Sequence, residues 1–338
     1  MSVRCLVIGA GKMGAAHLQT MAALGPDALA GWAPSDRRRD AAESVGAGFF
    51  HGPLAAALDV FRPTHVVVAS PVEMLTPVSL QLIAAGVRHL LVEKPVALSG
   101  AQGEELVAAV EASGVHLHVG YNRRFYGSIR TALKLIAEAG EEIESVAFEF
   151  NEVVPDLQGP LGHAPSVRER WLLANSLHVI DSAFFPVGLP DPVRSSFARS
   201  GALAWHSAGS IFVGSGLTVS GKPFAYHANW AAPGRWGFEW MTPSARYVFR
   251  PLEKLSIMRR GSFILEELPL DDELDRRFKP GVYLQNRAFL FGGDDSACLT
   301  SLEHALSLVR LGEAIGGYSP AGRGTGWIRE KAASVGNS

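Results

Sequence analysis

The chain has 338 residues, 47% of them hydrophobic, and a formal net charge of -2 from 31 basic and 33 acidic side chains. That length and apolar content suit a large buried core and favour two domains over one. The near balance of charge, broken by one run of three arginines at Arg37-Arg38-Arg39, argues against nucleic acid as a main partner. Cys5 and Cys298 lie far apart and outside any CxxC pair, so neither a disulfide framework nor a metal centre is expected. No apolar run approaches the roughly 18 residues of a membrane span and no leader precedes the first strand, so the expectation is a cytoplasmic protein without a membrane partner.

The apolar run Val3-Arg4-Cys5-Leu6-Val7-Ile8 predicts a strand, and it runs into Gly9-Ala10-Gly11-Lys12-Met13-Gly14 and a helix to about Leu24. A strand closing in G-x-G-x-x-G before a helix cradles a pyrophosphate. Gly9 permits the tight turn, Gly11 lets the backbone approach the phosphates, and Gly14 lets helix pack on strand, with the anion on the helix N-terminus. Strands are then expected at Leu29 to Ala33, 48 to 50, 65 to 69, 89 to 93 and 115 to 119. Helices are expected over Arg37 to Val45, from Pro53 to Leu58, over Thr76 to Ala85 and over Glu104 to Ala112, the last opened by a Ser99/Gln102 capping box. This alternation means a doubly wound parallel sheet whose ligands sit at the carboxyl ends of the strands.

After residue 125 the pattern changes. A helix from Ile129 to Ala139 precedes strand-like stretches at 145 to 151, 193 to 199, 210 to 219, 224 to 230, 235 to 241, 245 to 249 and 262 to 267. Phe224, Tyr226, Ala228 and Trp230 alternate with Ala225, His227 and Asn229, the period of a sheet with two unlike faces. The fold class is therefore α/β: an N-terminal Rossmann sheet over residues 1 to 122, then a C-terminal α+β domain over 123 to 318 with an open, mostly antiparallel sheet. A late helix over Leu299 to Ile315 closes the second part, and 319 to 338 reads as a loose tail.

The chain resembles the glucose-fructose oxidoreductase and inositol dehydrogenase family (Gfo/Idh/MocA). The resemblance rests on the glycine segment, Ala69-Ser70-Pro71, Glu93-Lys94-Pro95, Tyr121-Asn122-Arg123-Arg124-Phe125 and His178-Val179-Ile180-Asp181, in that order. It implies a nicotinamide-dependent oxidoreductase for sugars, cyclitols or related polyols, with a second domain that carries substrate and mediates a homodimer or homotetramer. The dimer surface is expected at about residues 210 to 265, on an aromatic-rich open sheet face.

Carbinol oxidation needs an acceptor for the hydroxyl proton and a partner for the developing alkoxide. Lys94 matches the family's essential lysine, with Pro95, expected as a cis residue, aiming it at the nicotinamide. His178 shares a helix face with Trp171, Asn175 and Ser182, opposite an apolar stripe of Leu173, Leu177, Ile180 and Phe184, and Asp181 could orient its ring. Two departures stand out: Ala174 replaces the family's aspartate and Leu75 a frequent histidine, which throws more of the work onto Lys94 and leaves open a nucleotide-binding regulator that has lost turnover.

Cofactor contacts are expected from Gly9, Gly11, Lys12, Met13, Gly14, Ser35, Arg37, Ser70, Pro71, Glu93 and Lys94, and substrate contacts from Asn122, Arg124, Asn175, His178 and Arg168, with Arg170 as a further anion binder. The second strand ends without an acid, and Ser35 with Arg37 or Arg38 suits a 2′-phosphate, so NADP is preferred; a shift of a few residues would make Asp36 a ribose ligand and favour NAD. The tryptophans at 205, 230, 236 and 240 read as sheet packing or subunit interface more than a sugar platform.

Overall fold

A computed structural model describes residues 2–152 and 159–318; the expected tail from 319 lies outside them. Strands β1 (Arg4–Ile8), β2 (Ala28–Ala33), β3 (Gly48–His51), β4 (His65–Val68), β5 (His89–Glu93) and β6 (His116–Gly120) alternate with helices α1 (Lys12–Leu24), α2 (Asp40–Glu43), α3 (Leu54–Phe61), α4 (Leu75–Ala84) and α5 (Gly100–Ser113). The strands pair in parallel in the order β6-β5-β4-β1-β2-β3. Their apolar runs are buried on both sides, with Leu6, Val7, Ile8, Val66, Val67 and Val68 all inaccessible, as a parallel sheet under two helical layers requires. The Ser99 hydroxyl accepts from Gln102 N–H, but the returning bond goes one residue earlier than a capping box places it: Gln102 Oε1 accepts from Leu98 N–H at 3.0 Å. The helix expected over Arg37 to Val45 breaks into a 3-10 turn, Asp36–Arg38, and the single turn of α2.

Helix α6 (Gly127–Glu138) leads to the second sheet, formed by β7 (Ser145–Phe150), β8 (Pro190–Ser200), β9 (Ile211–Thr218), β10 (Pro223–Asn229), β11 (Trp236–Met241), β12 (Ala245–Phe249), β13 (Ser256–Arg259) and β14 (Glu266–Glu267). Its order is β14-β13-β12-β11-β7-β10-β9-β8, antiparallel except where β7 runs parallel to β10. The strand expected over 262 to 267 is displaced: pairing falls on Ser256–Arg259, and only Glu266–Glu267 pairs beyond it. Between β7 and β8 lie α7 (Pro165–Arg168), a π-helical turn at Leu172–Ser176, and α8 (Leu177–Phe184).

The aromatic face of this sheet is the covered one, reversing the sequence-based expectation. Phe148, Phe224, Tyr226, Trp240 and Phe249 are buried under α8, where Phe184 meets Phe148 and Phe224 at 5.2 and 5.1 Å and Trp240 Nε1 donates to Ala183 O. The outer face carries Ala225 and His227 and the ion pairs Glu149–Arg250 and Glu239–Arg246. Burying rings on the side where a helix can close over them removes the most apolar area from water.

After α9 (Glu273–Arg277) the chain returns to the first sheet. Helix α10 (Val282–Phe291) packs on α1, β15 (Thr300–Ser301) adds antiparallel to β6, and α11 (Leu302–Gly316) lies against α5, β6 and the π turn. Buried His17 of α1 seals this return, with Nδ1 2.9 Å from Asn286 Oδ1 and Nε2 2.9 Å from Glu93 Oε1. Periodicity alone left this returning segment unassigned apart from its last helix.

In-register pairing of β4, β5 and β6 stacks three imidazoles at the sheet's amino edge, His65 on His89 at 4.5 Å and His89 on His116 at 5.3 Å. Desolvation, then the neighbouring His89, lowers the pKa of His65 to about 4. An unfolded chain protonates this residue near 6.5, so between those values the unfolded state binds more protons and stability falls as the pH falls. Melting temperatures measured at constant ionic strength are expected to drop from pH 6.5 toward 4, and His65→Leu is expected to make that descent shallower.

Candidate active site

A cavity of about 830 Å³ opens at the carboxyl ends of β1, β2, β4 and β5 and extends to the π turn. The glycine loop forms its floor. Gly9 has φ 94° and a Cβ there would fall 2.4 Å from Ala69 O, while a Cβ on Gly14 would fall 1.7 Å from Gly9 O. Gly11 differs, since a Cβ would meet no protein atom. Protein contacts do not demand glycine at that position, and its missing Cβ leaves open space beside the loop. No side chain caps α1 and no acid sits in its first turn, leaving its amino-terminal N–H groups and dipole to an anion. The buried Ser70 hydroxyl in the wall has no hydrogen-bond partner. These features fit the pyrophosphate and ribose of a dinucleotide.

The other expected cofactor residues divide. Lys12, Met13, Pro71, Glu93 and Lys94 line the cavity. Ser35 and Arg37 do not: both are exposed, and the 3-10 turn at Asp36–Arg38 brings Arg38 into the wall beside Ala33 and Pro34. The α-helix expected there would have spaced these side chains differently.

At the far end Lys94 follows β5, with a cis peptide to Pro95. Its Nζ donates to the Ala174 carbonyl in the π turn. Lys94 is half-buried by exposed area, but it faces the cavity instead of bulk solvent. Desolvation first, then Arg123 and Lys279 against Glu93 and Glu152, bring its pKa down to about 7. His178 lines the same cavity with its Nδ1 buried and without a hydrogen-bond partner among the described residues. Burial, then the charges of Arg123, Lys94 and Lys279, hold the ring neutral. Asn122 and Asn175 also reach the wall, Asn122 Nδ2 donating to Pro280 O.

Four further expected residues lie outside the lining. Arg124 is buried away from the cavity in a bidentate pair with Asp181, joined by His304. The Asp181 carboxylate is thereby engaged by Arg124 and His304; burial raises its pKa, and those two groups more than reverse that, holding it ionised. Arg168, on the short α7, lies outside the lining, and Arg170 is committed to Leu98 O and Glu313. Trp171, Asn175 and His178 do line the cavity together, while Ser182 is buried with its hydroxyl donating to His178 O; the helix that carries them is interrupted by the π turn at residues 172 to 176.

The sequence reading missed Glu152. It follows β7, is 6% exposed, and its carboxylate accepts from Trp171 Nε1 at 3.1 Å, Ser176 Oγ at 2.6 Å and Asn175 Nδ2. It lines a second cavity of about 570 Å³ with Arg235, Trp236 and Glu253, and Arg123 and Asn175 belong to both cavities. The Arg123 guanidinium lies 4.9 Å from the Trp236 ring, and its buried Nε has no hydrogen-bond partner. One signal was present: an acid at the end of a period-2 strand. Its partners lie 19 to 24 residues away on another element, beyond any local pattern.

Residues 3–121 match the model of the GFO_IDH_MocA oxidoreductase family, NAD-binding Rossmann fold. The scyllo-inositol 2-dehydrogenase (NADP(+)) IolW of Bacillus subtilis (strain 168) is 29% identical over 132 residues, 39% of this chain and 37% of the relative. The chain thus aligns with about two fifths of the length of the curated relatives it matches. Among solved structures, UDP-N-acetylglucosamine 3-dehydrogenase GnnA from Acidithiobacillus ferrooxidans superposes with a TM-score of 0.71 at 16% identity, covering 93% of this chain and 97% of that one. A levoglucosan dehydrogenase complexed with NADH and levoglucosan superposes with a TM-score of 0.70 at 18% identity, covering 93% and 96%. At these identities the structural likeness shows the fold, including the second sheet.

The Arg124–Asp181 pair is nearly inaccessible, at 5% and 1% side-chain exposure. Removing one partner leaves a buried charge alone, which typically costs about 3–5 kcal/mol. Asp181→Ala is therefore expected to lower the unfolding free energy by about that amount in denaturant titrations. Protein that remains folded should bind nucleotide as the parent does.

Proposed function

We propose, from the match of residues 3–121 to the model of the GFO_IDH_MocA oxidoreductase family, NAD-binding Rossmann fold, that this protein is a nicotinamide-dependent oxidoreductase. Its substrate is a secondary alcohol or ketone of a sugar, sugar derivative or cyclitol. The observation that carries the reading is the convergence of Lys94 and neutral His178 on the cavity that holds the glycine loop. The relatives' names, an inositol dehydrogenase and two sugar dehydrogenases, support the substrate class.

Lys94 sits near its own pKa of about 7, so both protonation states are accessible at neutral pH. In the oxidation direction, unprotonated Nζ takes the hydroxyl proton as the carbinol carbon loses hydride. In reduction, the ammonium returns that proton and stabilises negative charge on the carbonyl oxygen. A bound nicotinamide supplies the hydride acceptor or donor. Neutral His178 offers a free Nδ1 to a second hydroxyl, and Asn175 offers an amide from the same wall.

Lys94→Ala is expected to reduce kcat by roughly 100-fold or more with nucleotide affinity little changed, and His178→Ala by about 10- to 1000-fold. Steady-state rates on a panel of sugars and cyclitols, paired with calorimetric nucleotide titrations, check both. A protein that binds nucleotide but turns over nothing in the panel would instead be a regulator of the same fold, the reading that Ala174 and Asn175 favour.

Arg38, one of the two arginines the sequence offered for the 2′-phosphate, lines the cavity and supports an NADP preference. NADPH should bind at least about tenfold tighter than NADH, equivalent to about 1.4 kcal/mol, and Arg38→Ala should remove most of the difference. Equal affinities, or tighter NADH, would move the ribose contact to Asp36.

A further inference from the structure

Lys94 and Glu152 come from different sheets, β5 and β7, yet they grip successive residues of one π turn. Lys94 Nζ donates to the carbonyl of Ala174, while Glu152 accepts from the side chains of Asn175 and Ser176 and from Trp171 at the turn's start. A buried carboxylate with three donors is a built feature, because leaving it unpaired would cost more than omitting it. The helix itself places no acid at this turn: residues 172 to 176 are Leu-Leu-Ala-Asn-Ser. We infer that Glu152 is a positioning residue for the proposed chemistry: from the second sheet it holds the turn that receives Lys94 from the first, and it faces Lys94's positive charge with a negative one.

This inference rests on the oxidoreductase reading for its catalytic meaning, although its physical content does not. The charged and titratable groups acting on Lys94 are Arg123 and Lys279, which disfavour its proton, Glu93 and Glu152, which favour it, and His178, which stays neutral. Glu93 is already engaged by His17. Burial raises the pKa of Glu152, and its three donors and Lys94 offset that rise only in part. Removing its charge leaves Arg123 and Lys279 less opposed, so Lys94 gives up its proton at lower pH.

Glu152→Gln is the sharp test, since an amide oxygen can keep the bonds from Asn175 and Trp171 while the charge is lost. Acetylation of Lys94 in the full-length protein, followed across pH by peptide mass spectrometry, reads its protonation midpoint without any turnover. The midpoint is expected to fall by about half a pH unit or more in the variant. The limb of kcat/KM for alcohol oxidation that rises with pH should move in the same direction. An unchanged midpoint in a folded variant overturns the inference and leaves Glu152 as a packing anchor. If Glu152→Gln does not fold, Ser176→Ala removes one donor and eases protonation of the carboxylate; a smaller shift in the same direction is expected, and no shift overturns the inference. Absence of turnover by the parent protein would defeat the oxidoreductase reading while leaving the Lys94 midpoint to decide the role of Glu152.

Discussion

The buried pair of Arg124 and Asp181 ties the helix that covers the second sheet to the end of the first. Arg124 belongs to the turn that leaves β6, Asp181 to α8, and His304, which touches both, to α11. These three segments are 57 to 180 residues apart in sequence. A bidentate guanidinium-carboxylate contact fixes orientation as well as distance. Since α8 follows directly on the π turn, fixing it also fixes His178 and Asn175 above the end of β5. Much of the site's geometry is thereby set by residues that never touch the cavity.

Within the cavity, charge is distributed unevenly. Arg123, Lys94 and Lys279 line it, Glu93 is hydrogen-bonded to His17, and Glu152, in the wall of the neighbouring cavity, is enclosed by donors. Cations in a partly desolvated space lower one another's proton affinity. The consequence is a lysine balanced near neutral pH beside an imidazole that stays uncharged, two groups whose ordinary values would otherwise place them on opposite sides of pH 7 by different margins. The fold produces this without a metal-ligating cluster among the described residues.

Local chemistry was legible in the sequence wherever a motif is contiguous. Gly9 and Gly14 are required by contacts within a few ångströms of their own turn and with the next strand, so the spacing alone located the loop. Strand period located most of the second sheet. The reading failed where the determinant is non-local or a local rule admits two outcomes. Arg124 and Arg123 are adjacent and chemically identical, and only the position of α8 decides that one is a strut and the other a cavity wall. A π turn has no composition that distinguishes it from an α-helix. The face of a sheet that a helix covers cannot be read from alternation, which gives two unlike faces but not which is which; Phe224 and Tyr226 went to the opposite side from the one expected.

The π turn concentrates these dependencies. A turn wider than α-helical costs hydrogen-bond geometry and persists only when its surroundings hold it. Here Lys94 holds it from the first sheet, Glu152 from the second, and Gly312 of α11 admits Leu172, Leu173 and Leu177, where a Cβ would come within 2.4 Å of Leu173. Each support lies on a different element, so the turn registers the relative placement of all three. A side chain projecting from such a turn, as Asn175 does, is aimed by the whole assembly and not by its own helix. That arrangement suits a site whose cofactor cradle is built on one sheet and whose second cavity is walled largely by the other, because the atoms that must meet are positioned at the seam between them.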